Sequence, residues 1–335
     1  MEGVIALGRR HEAVGLTHEE LLSLYATMVL VRTLDERILV LNRQGKAPIG
    51  ISCQGHEAAQ MGSAWAALKD GRCFFFPYYR DLALKVTLGV SAYEVLLSFL
   101  GKAGDPFSNG RQFPLQGADL RRRIIQLSNV VAAGLPQATG YAWACQYLGE
   151  ETVVLAYFGD GATSEGECHE AMNFAGIHRV PIVFFCENNG YAISVPQRKQ
   201  MAIENVATRA AAYGFSGIVV DGTDLFEVYE ATRHAIEEAR AKGPILIEAK
   251  VERLSPHTTD DDDRRYRSRE ELEQARQRDP LQRLRQYLLQ DGLITSEQDT
   301  AIWKRARQQV EDATQQAEKA PYPSAATLWE HVYAS

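Results

Sequence analysis

Cysteine is scarce and unpatterned in this chain of 335 residues. Cys53, Cys73, Cys145, Cys168 and Cys186 form no C-x-x-C pair and no zinc-ligand spacing, which excludes a disulfide framework and a zinc finger. An odd, scattered set fits a reducing compartment, where such residues pack as small hydrophobes. Long apolar runs are missing too, and nothing approaches the roughly 20 residues of a membrane span. The opening MEGVIALGRRHEAVG lacks the extended apolar region of a signal peptide, so the expected location is the cytoplasm. Positive charge is not in excess: 36 Lys and Arg face 43 Asp and Glu, for a net charge of −7. The longest basic cluster is Arg121-Arg122-Arg123, and no basic stripe interleaved with aromatics argues for a nucleic-acid surface. No G-x-G-x-x-G follows a strand and no G-x-x-x-x-G-K-[ST] occurs, which disfavours dinucleotide-binding and P-loop proteins. Repeats and flexible linkers are absent as well. The reading is one domain over 1–335, with a helical N-terminal extension at 1–45 and a helical C-terminal extension at 270–335. With 45% hydrophobic and 24% charged residues, the composition is that of a globular protein.

What is present reads as an α/β fold, with a mostly parallel central sheet flanked by helices. Thr17-x-x-Glu20 is a capping-box signal. The helix it starts runs through Leu21, Tyr25, Met28 and Val31 toward Leu41 and stops before Gly45. A loop and a second helix follow over 52–65, then a short strand at 74–76. Residues 101–123, rich in Gly, Pro, Arg and Asn, read as a long irregular segment, and Asn129 to Ala144 as a helix. The apolar runs 153–158 and 181–186 read as buried parallel strands. Between them Cys168, Ala171, Met172 and Ala175 keep a helical period. Further on, the pattern predicts a strand at 217–220, a helix from Asp224 to about Lys242 ended by Gly243-Pro244, and a strand over 245–251. From about residue 270 the chain is charged and helical, with Leu281, Leu284, Leu288 and Leu289 on one stripe. That stripe and the helix over 17–41 are candidates either for assembly surfaces or for internal packing.

The chemistry concentrates in Gly159-Asp160-Gly161, followed after 26 intervening residues by Asn188-Asn189. A right-handed crossover puts the carboxyl ends of both strands on one sheet edge, where open α/β sheets bind ligands. Mg²⁺ seeks six oxygens and commonly takes one or two carboxylates, with phosphate oxygens filling other positions. Asp160 offers a carboxylate, Asn189 an amide oxygen, and the turn at Gly190 brings in a backbone carbonyl from Tyr191. Gly159 and Gly161 permit close backbone approach. The amides around Gly161-Ala162 are expected to open the following helix and favour a phosphate. Taken singly, Gly-Asp-Gly and Asn-Asn-Gly are ordinary turns; at this spacing, after two buried strands, they read as a metal–diphosphate site.

The text FGDGATSEGECHEAMNFAGIHRVPIVFFCENNGYAISVP resembles the α subunit of the thiamine diphosphate-dependent decarboxylase component of 2-oxo acid dehydrogenases. The resemblance extends to ISCQGHEAAQ, PYYRD, GRQFP, VDGTDLFEVYEA and PHTTDDDDRRYRS, and is nearest to bacterial branched-chain subunits, down to the ending HVYAS. It implies a thiamine diphosphate-binding fold, thiamine diphosphate with Mg²⁺ as cofactors, and decarboxylation of a 2-oxo acid followed by reductive acylation of a lipoyl domain. Branched-chain acids lead, with pyruvate or acetoin as alternative; a non-catalytic assembly subunit is the reading outside enzymes. An arginine after an aromatic run is more often a surface ion-pair partner, but the resemblance makes Arg80 the grip on the diphosphate, with Tyr79 near substrate and cofactor. It places Asn129 and Val131 beneath the aminopyrimidine ring; the alternative for the Val130–Val131 pair is core packing. It puts His257 near the diphosphate and reactive centre, where a side chain with a reference pKa near 6.5 can shuttle a proton. The four aspartates after His257 read as a solvated loop, and Thr258 stands where animal relatives carry a phosphorylated serine. Three departures stand out. Ala133 and Gly134 replace oxygen-bearing residues that help hold a potassium ion, Phe113-Pro114-Leu115-Gln116 replaces Met-Pro-x-His, and Glu187 replaces an arginine of some branched-chain relatives. The second carboxylate that activates the cofactor is implied to come from a β subunit, with two α and two β chains in the assembly.

Overall fold

The computed structural model describes residues 9–330, so the ending HVYAS at 331–335 lies outside the described residues. Nine strands form among the described residues: β1 Cys73–Phe76, β2 Gly117–Asp119, β3 Ile124–Gln126, β4 Val153–Gly159, β5 Ile182–Asn188, β6 Tyr191–Ala192, β7 Val195–Pro196, β8 Ser216–Asp221 and β9 Ile245–Lys250. Seven make one sheet in the order β2-β3-β1-β4-β5-β9-β8, and β6 pairs with β7 as a separate ribbon. All neighbours in the large sheet are parallel except the edge pair β2–β3. The segment expected to be irregular over 101–123 thus supplies an edge strand, because Gly117–Asp119 folds back antiparallel on Ile124–Gln126.

The strands are apolar throughout because both faces are covered. Val153, Leu155 and Tyr157 of β4 enter one core with Val183 and Phe185 of β5, while Val154, Ala156 and Phe158 enter the other with Phe184 and Cys186. On the first face lie the helices His18–Arg43, Glu57–Asp70, Leu225–Lys242, Pro280–Gln290 and Ser296–Lys319; on the second lie Gly134–Tyr147 and Gly166–His178. The Thr17–Glu20 capping box forms, with Glu20 N donating to Thr17 Oγ1 at 3.2 Å and Thr17 N to Glu20 Oε2 at 2.8 Å. Such a cap contributes about 1 kcal/mol, against roughly 1.5–3 kcal/mol for each buried leucine or methionine. The buried stripe Leu21, Leu24, Met28, Leu34, Ile38 therefore fixes this helix more than its cap does.

Internal packing wins for both candidate assembly stripes. Val310, Ala313 and Ala317 of the helix Ser296–Lys319 are buried in the same core as the helix His18–Arg43, as are Leu281, Leu284 and Leu288. Asp224 caps the helix Leu225–Lys242 by accepting from Phe226 N and Glu227 N. One expected helix starts late: residues 129–133 form a loop, with Ala132 in the left-handed region at φ 65°, and the helix begins at Gly134. No helix among the described residues is long and apolar enough to cross a membrane.

Candidate functional site

Parallel register pairs Gly159 with Glu187, which sets Asp160 beside Asn188 and Asn189 where β4 and β5 end. A cleft of about 230 Å³ opens there, and every residue singled out for cofactor, metal or catalysis lines it: Tyr79, Arg80, Asn129, Val131, Gly159, Asp160, Gly161, Ala162, Asn189, Tyr191 and His257. A Cβ on Gly159 would meet nothing nearer than Tyr78 Cε2 at 3.9 Å, so the space beside it is cleft, whereas one on Gly161 would stand 3.0 Å from Ala192 Cβ. The helix expected to open at Gly161-Ala162 starts later, at Gly166. Thr163 Oγ1 donates to the Asp160 carbonyl at 2.7 Å and tightens residues 160–164 into a 3₁₀ turn. The amides facing the cleft are therefore those of a turn.

Asp160 is buried. Its Oδ2 accepts from Gln200 Nε2 at 2.7 Å, while Oδ1 has no partner. Burial pushes this carboxyl up to about 6. A buried carboxylate oxygen without a donor is what a bound cation relieves. Gly190 turns the chain at φ 78°, and Asn189 Oδ1 accepts from Tyr191 N across it at 3.2 Å. Asn189 Nδ2 approaches His56 Nε2 at 3.5 Å, and His56 Nδ1 donates to Glu187 Oε2 at 2.7 Å. The bare Nε2 of that tautomer accepts the amide N–H of Asn189 and leaves Oδ1 on the far side. Gln197 N donates to Gly190 O at 2.8 Å, which makes Tyr191–Pro196 a pair without a ladder bond and sends the Tyr191 carbonyl to the outer side of the ribbon. No group of three or more His, Cys, Asp or Glu side chains among the described residues is disposed to hold a metal. The donor set is one carboxylate, one amide oxygen and one carbonyl, which fits a hard cation completed by phosphate oxygens and not a zinc site.

Arg80 is 1% exposed, so the surface ion-pair alternative does not hold. Its Nη1 donates to Ser52 O at 2.6 Å, Nη2 lies 3.2 Å from His257 Nδ1, and Nε is buried without a partner. Since a guanidinium only donates, His257 Nδ1 accepts and Nε2 carries the proton. Burial first, then Arg80 and Arg253, push the His257 pKa down to about 4, below the range expected for proton shuttling near neutrality. A histidine whose folded pKa lies below its unfolded value takes stability from the fold as pH falls from about 6.5 toward 4. We expect urea unfolding at pH 5 to show His257→Gln less destabilised relative to pH 7 than wild type, by about 1–2 kcal/mol after allowance for partial exposure. Equal pH slopes would remove the buried neutral histidine from this account. Of the four aspartates after His257, Asp260 is exposed and Asp262 half-exposed, as expected of a solvated loop, but Asp261 and Asp263 turn inward. Asp261 accepts from His257 N at 2.8 Å, and Asp263 is buried beside Arg267 at 3.7 Å, because the chain folds back on the buried guanidinium of Arg253.

Val130 and Val131 are 70% and 43% exposed, so core packing is not their role. Ile193 sits in the left-handed region at φ 55° between β6 and β7; its carbonyl accepts from Arg253 Nη1 at 3.0 Å, and it lines the cleft. Beneath the cleft lies a polar cluster that sequence reasoning missed. Glu187 does not line the cleft; its Oε2 takes donors from His56, from Gln60 Nε2 at 3.0 Å and from Tyr78 OH at 3.1 Å. Burial and then Glu187 drive the Asp81 carboxyl well above its ordinary range, so Asp81 keeps its proton and Glu187 carries the charge. No periodicity flags these residues, because each is a single polar position in an otherwise buried run. Glu165 also lines the cleft, a carboxylate on the turn that carries Asp160.

The model of the Dehydrogenase E1 component family matches residues 25–326. The chain is 43% identical over 326 residues to the 2-oxoisovalerate dehydrogenase subunit alpha of Bacillus subtilis (strain 168), covering 97% of this chain and 98% of the relative. It is 40% identical over 302 residues to the 3-methyl-2-oxobutanoate dehydrogenase subunit alpha of Mycobacterium tuberculosis (strain CDC 1551 / Oshkosh), covering 89% of this chain and 79% of the relative. With the mitochondrial 2-oxoisovalerate dehydrogenase subunit alpha of Homo sapiens it shares 38% identity over 320 residues, covering 95% of this chain and 71% of that one.

Proposed function

We propose that this chain, which belongs to the dehydrogenase E1 component family, is the α subunit of a thiamine diphosphate- and Mg²⁺-dependent 2-oxo acid dehydrogenase of the 3-methyl-2-oxobutanoate type. The observation that carries the reading is the unpartnered, buried Asp160 Oδ1 in the same cleft as the buried Arg80 guanidinium. One is built to meet a cation and the other an anion. Asp160, Asn189 and the Tyr191 carbonyl hold Mg²⁺ against the diphosphate. Arg80, whose Nε is free, donates to phosphate oxygens, with the amides of the Gly161–Ala162 turn beside it. Bound thiamine diphosphate supplies the carbanion that attacks the 2-oxo acid and the electron sink that lets CO₂ leave. His257 holds its proton on Nε2 and offers it at the cleft, while Tyr79 packs edge-on to the imidazole at a 6.1 Å centroid distance and limits its swing. Val130 and Val131 give the wall an apolar surface for the aminopyrimidine ring and, next to it, an aliphatic substrate tail. The disulfide of a lipoyl domain would accept the two electrons and the acyl group together, opening to a thiol and an acyl thioester.

The proposed partner is a β subunit, in an assembly of two α and two β chains in the cytoplasm. Support comes from apolar side chains left facing solvent at the carboxyl ends of the helices Gly134–Tyr147 and Gly166–His178, where Trp143, Tyr147, Leu148 and Ile177 are 43%, 85%, 71% and 68% exposed; exposed apolar patches mark interaction sites.

Among 2-oxo acids, those derived from valine, leucine and isoleucine should exceed pyruvate in kcat/KM. One extra methylene in an apolar pocket is worth about 1–3 kcal/mol, or roughly 10–200-fold. The test is a 2-oxo acid panel on the co-expressed α and β chains. Preference for pyruvate, or for acetoin added to the panel, would reassign the enzyme within its family, and no turnover with any of them would leave a non-catalytic assembly subunit.

A further inference from the structure

Lys85 is fully buried on the short helix Leu82–Thr87 behind the cleft. Its ammonium donates to Gln126 Oε1 at 2.5 Å, and Gln126 Nε2 donates to Asn129 Oδ1 at 2.7 Å. Gln126 is buried at the end of β3, whereas Asn129 lines the cleft. The far end of this chain of bonds is Asn129 Nδ2, which is shielded from solvent and has no partner.

The order of donors and acceptors is forced. An ammonium has three donors and no acceptor, so it fixes which end of the Gln126 amide faces it. Gln126 then meets Asn129 with its N–H, and Asn129 is left with its own N–H groups unspent. Burial lowers the Lys85 pKa to about 8, which still leaves an ammonium at pH 7. Had residue 85 been apolar, either amide could turn over and present an oxygen instead. The loop concerned has little else to hold it: Val130 N donates to Ser128 Oγ at 3.0 Å, and Ala132 sits in the left-handed region.

We propose that Lys85 and Gln126 are positioning residues that set the polarity of Asn129, so that its amide N–H meets an acceptor atom of the molecule bound in the cleft. The inference rests on the function proposed above. The acceptor is a ring nitrogen or a carbonyl or carboxylate oxygen, and both the cofactor and the 2-oxo acid carry such atoms.

Gln126→Glu in the α–β holoenzyme tests this. The replacement keeps the shape and the bond from Lys85, but a carboxylate has no N–H for Asn129, which then turns its oxygen to the ligand. If the acceptor belongs to the cofactor, calorimetry should show thiamine diphosphate binding weakened about five- to tenfold, the worth of one hydrogen bond, with the KM for the 2-oxo acid unchanged at saturating cofactor. If it belongs to the substrate, KM rises by that factor and cofactor affinity stays. In an Asn129→Ala background Gln126→Glu should add nothing, since it acts through Asn129. Should Gln126→Glu fail to fold, Lys85→Met takes its place with the same readouts, as it releases both amides without adding charge. Wild-type constants in the single variants, or additive losses in the double variant, overturn the proposal. A wild-type holoenzyme that binds no thiamine diphosphate overturns the underlying function instead.

Discussion

Asp160→Ala should cost the assembled protein at least about a hundredfold in Mg²⁺-dependent affinity for thiamine diphosphate while leaving it folded. Losing a group that merely supports a metal ligand costs about 10–100-fold, and Asp160 is the only carboxylate in the proposed donor set. The fold should survive because two terms nearly cancel. Removing the side chain forfeits the hydrogen bond from Gln200, worth about 1.5–3 kcal/mol for a charged acceptor. It also removes a buried carboxyl held at about 6 instead of the usual 3.8. A raised carboxylate pKa takes stability from the native state as pH climbs between those values, so at pH 7 the ionised group costs about 3 kcal/mol without a cation. The variant's melting temperature without cofactor should therefore match wild type at pH 7 and fall below it at pH 4. Titration of thiamine diphosphate by calorimetry at fixed Mg²⁺ decides the rest, and undiminished affinity would dismiss Asp160 as a ligand.

The proposed metal end of this site was legible because backbone geometry and chemistry coincide there. Two apolar runs of strand length, each ending in a polar turn, forecast both the parallel pair β4–β5 and the juxtaposition of Asp160 with Asn189. The starts of helices were less legible. Thr163 turned 160–164 into a tight 3₁₀ turn, and Ala132 adopted a left-handed conformation that no alanine announces, so the helices begin later than periodicity implied. The buried cluster around Glu187 was invisible for a different reason. His56, Gln60, Tyr78 and Asp81 come from separate stretches, and only the folded sheet brings them to one carboxylate. The charged run after His257 was legible only by halves: Asp260 and Asp262 meet solvent as charge density suggests, yet Arg253 and Arg267 are buried and draw Asp261 and Asp263 inward.

The α chain by itself should show no decarboxylation of 2-oxo acids, and addition of the β chain should restore turnover by several orders of magnitude. Activation of the cofactor needs a carboxylate at the aminopyrimidine ring. The cleft offers Asp160, which the proposal assigns to the metal, and Glu165, which stands on the same turn and thus at that same end. The wall made by Val130 and Val131, where the ring would lie, carries no carboxylate among the residues lining it. That wall and the helix face bearing Trp143 and Tyr147 stand open to solvent, as half of a shared boundary would. Mixing purified α with increasing β should raise activity to a plateau at equal amounts, with thiamine diphosphate affinity rising in parallel. Turnover by α alone would make Glu165 the activating carboxylate and shift the assignment to a self-sufficient site, which Glu165→Gln would then silence.

Ile193 carries a lesson for anyone who redesigns this protein for heat resistance. A β-branched residue at φ 55° is a poor backbone fit, costing on the order of 1–3 kcal/mol, and glycine at that position is what a stability screen would select first. The same substitution strips the side chain from the rim of the cleft and adds backbone freedom at the hairpin tip, leaving the Arg253 bond to the residue's carbonyl as its tether. Variants ranked by melting temperature alone would thus accumulate looser cofactor retention, and the two properties need to be scored side by side from the first round of selection.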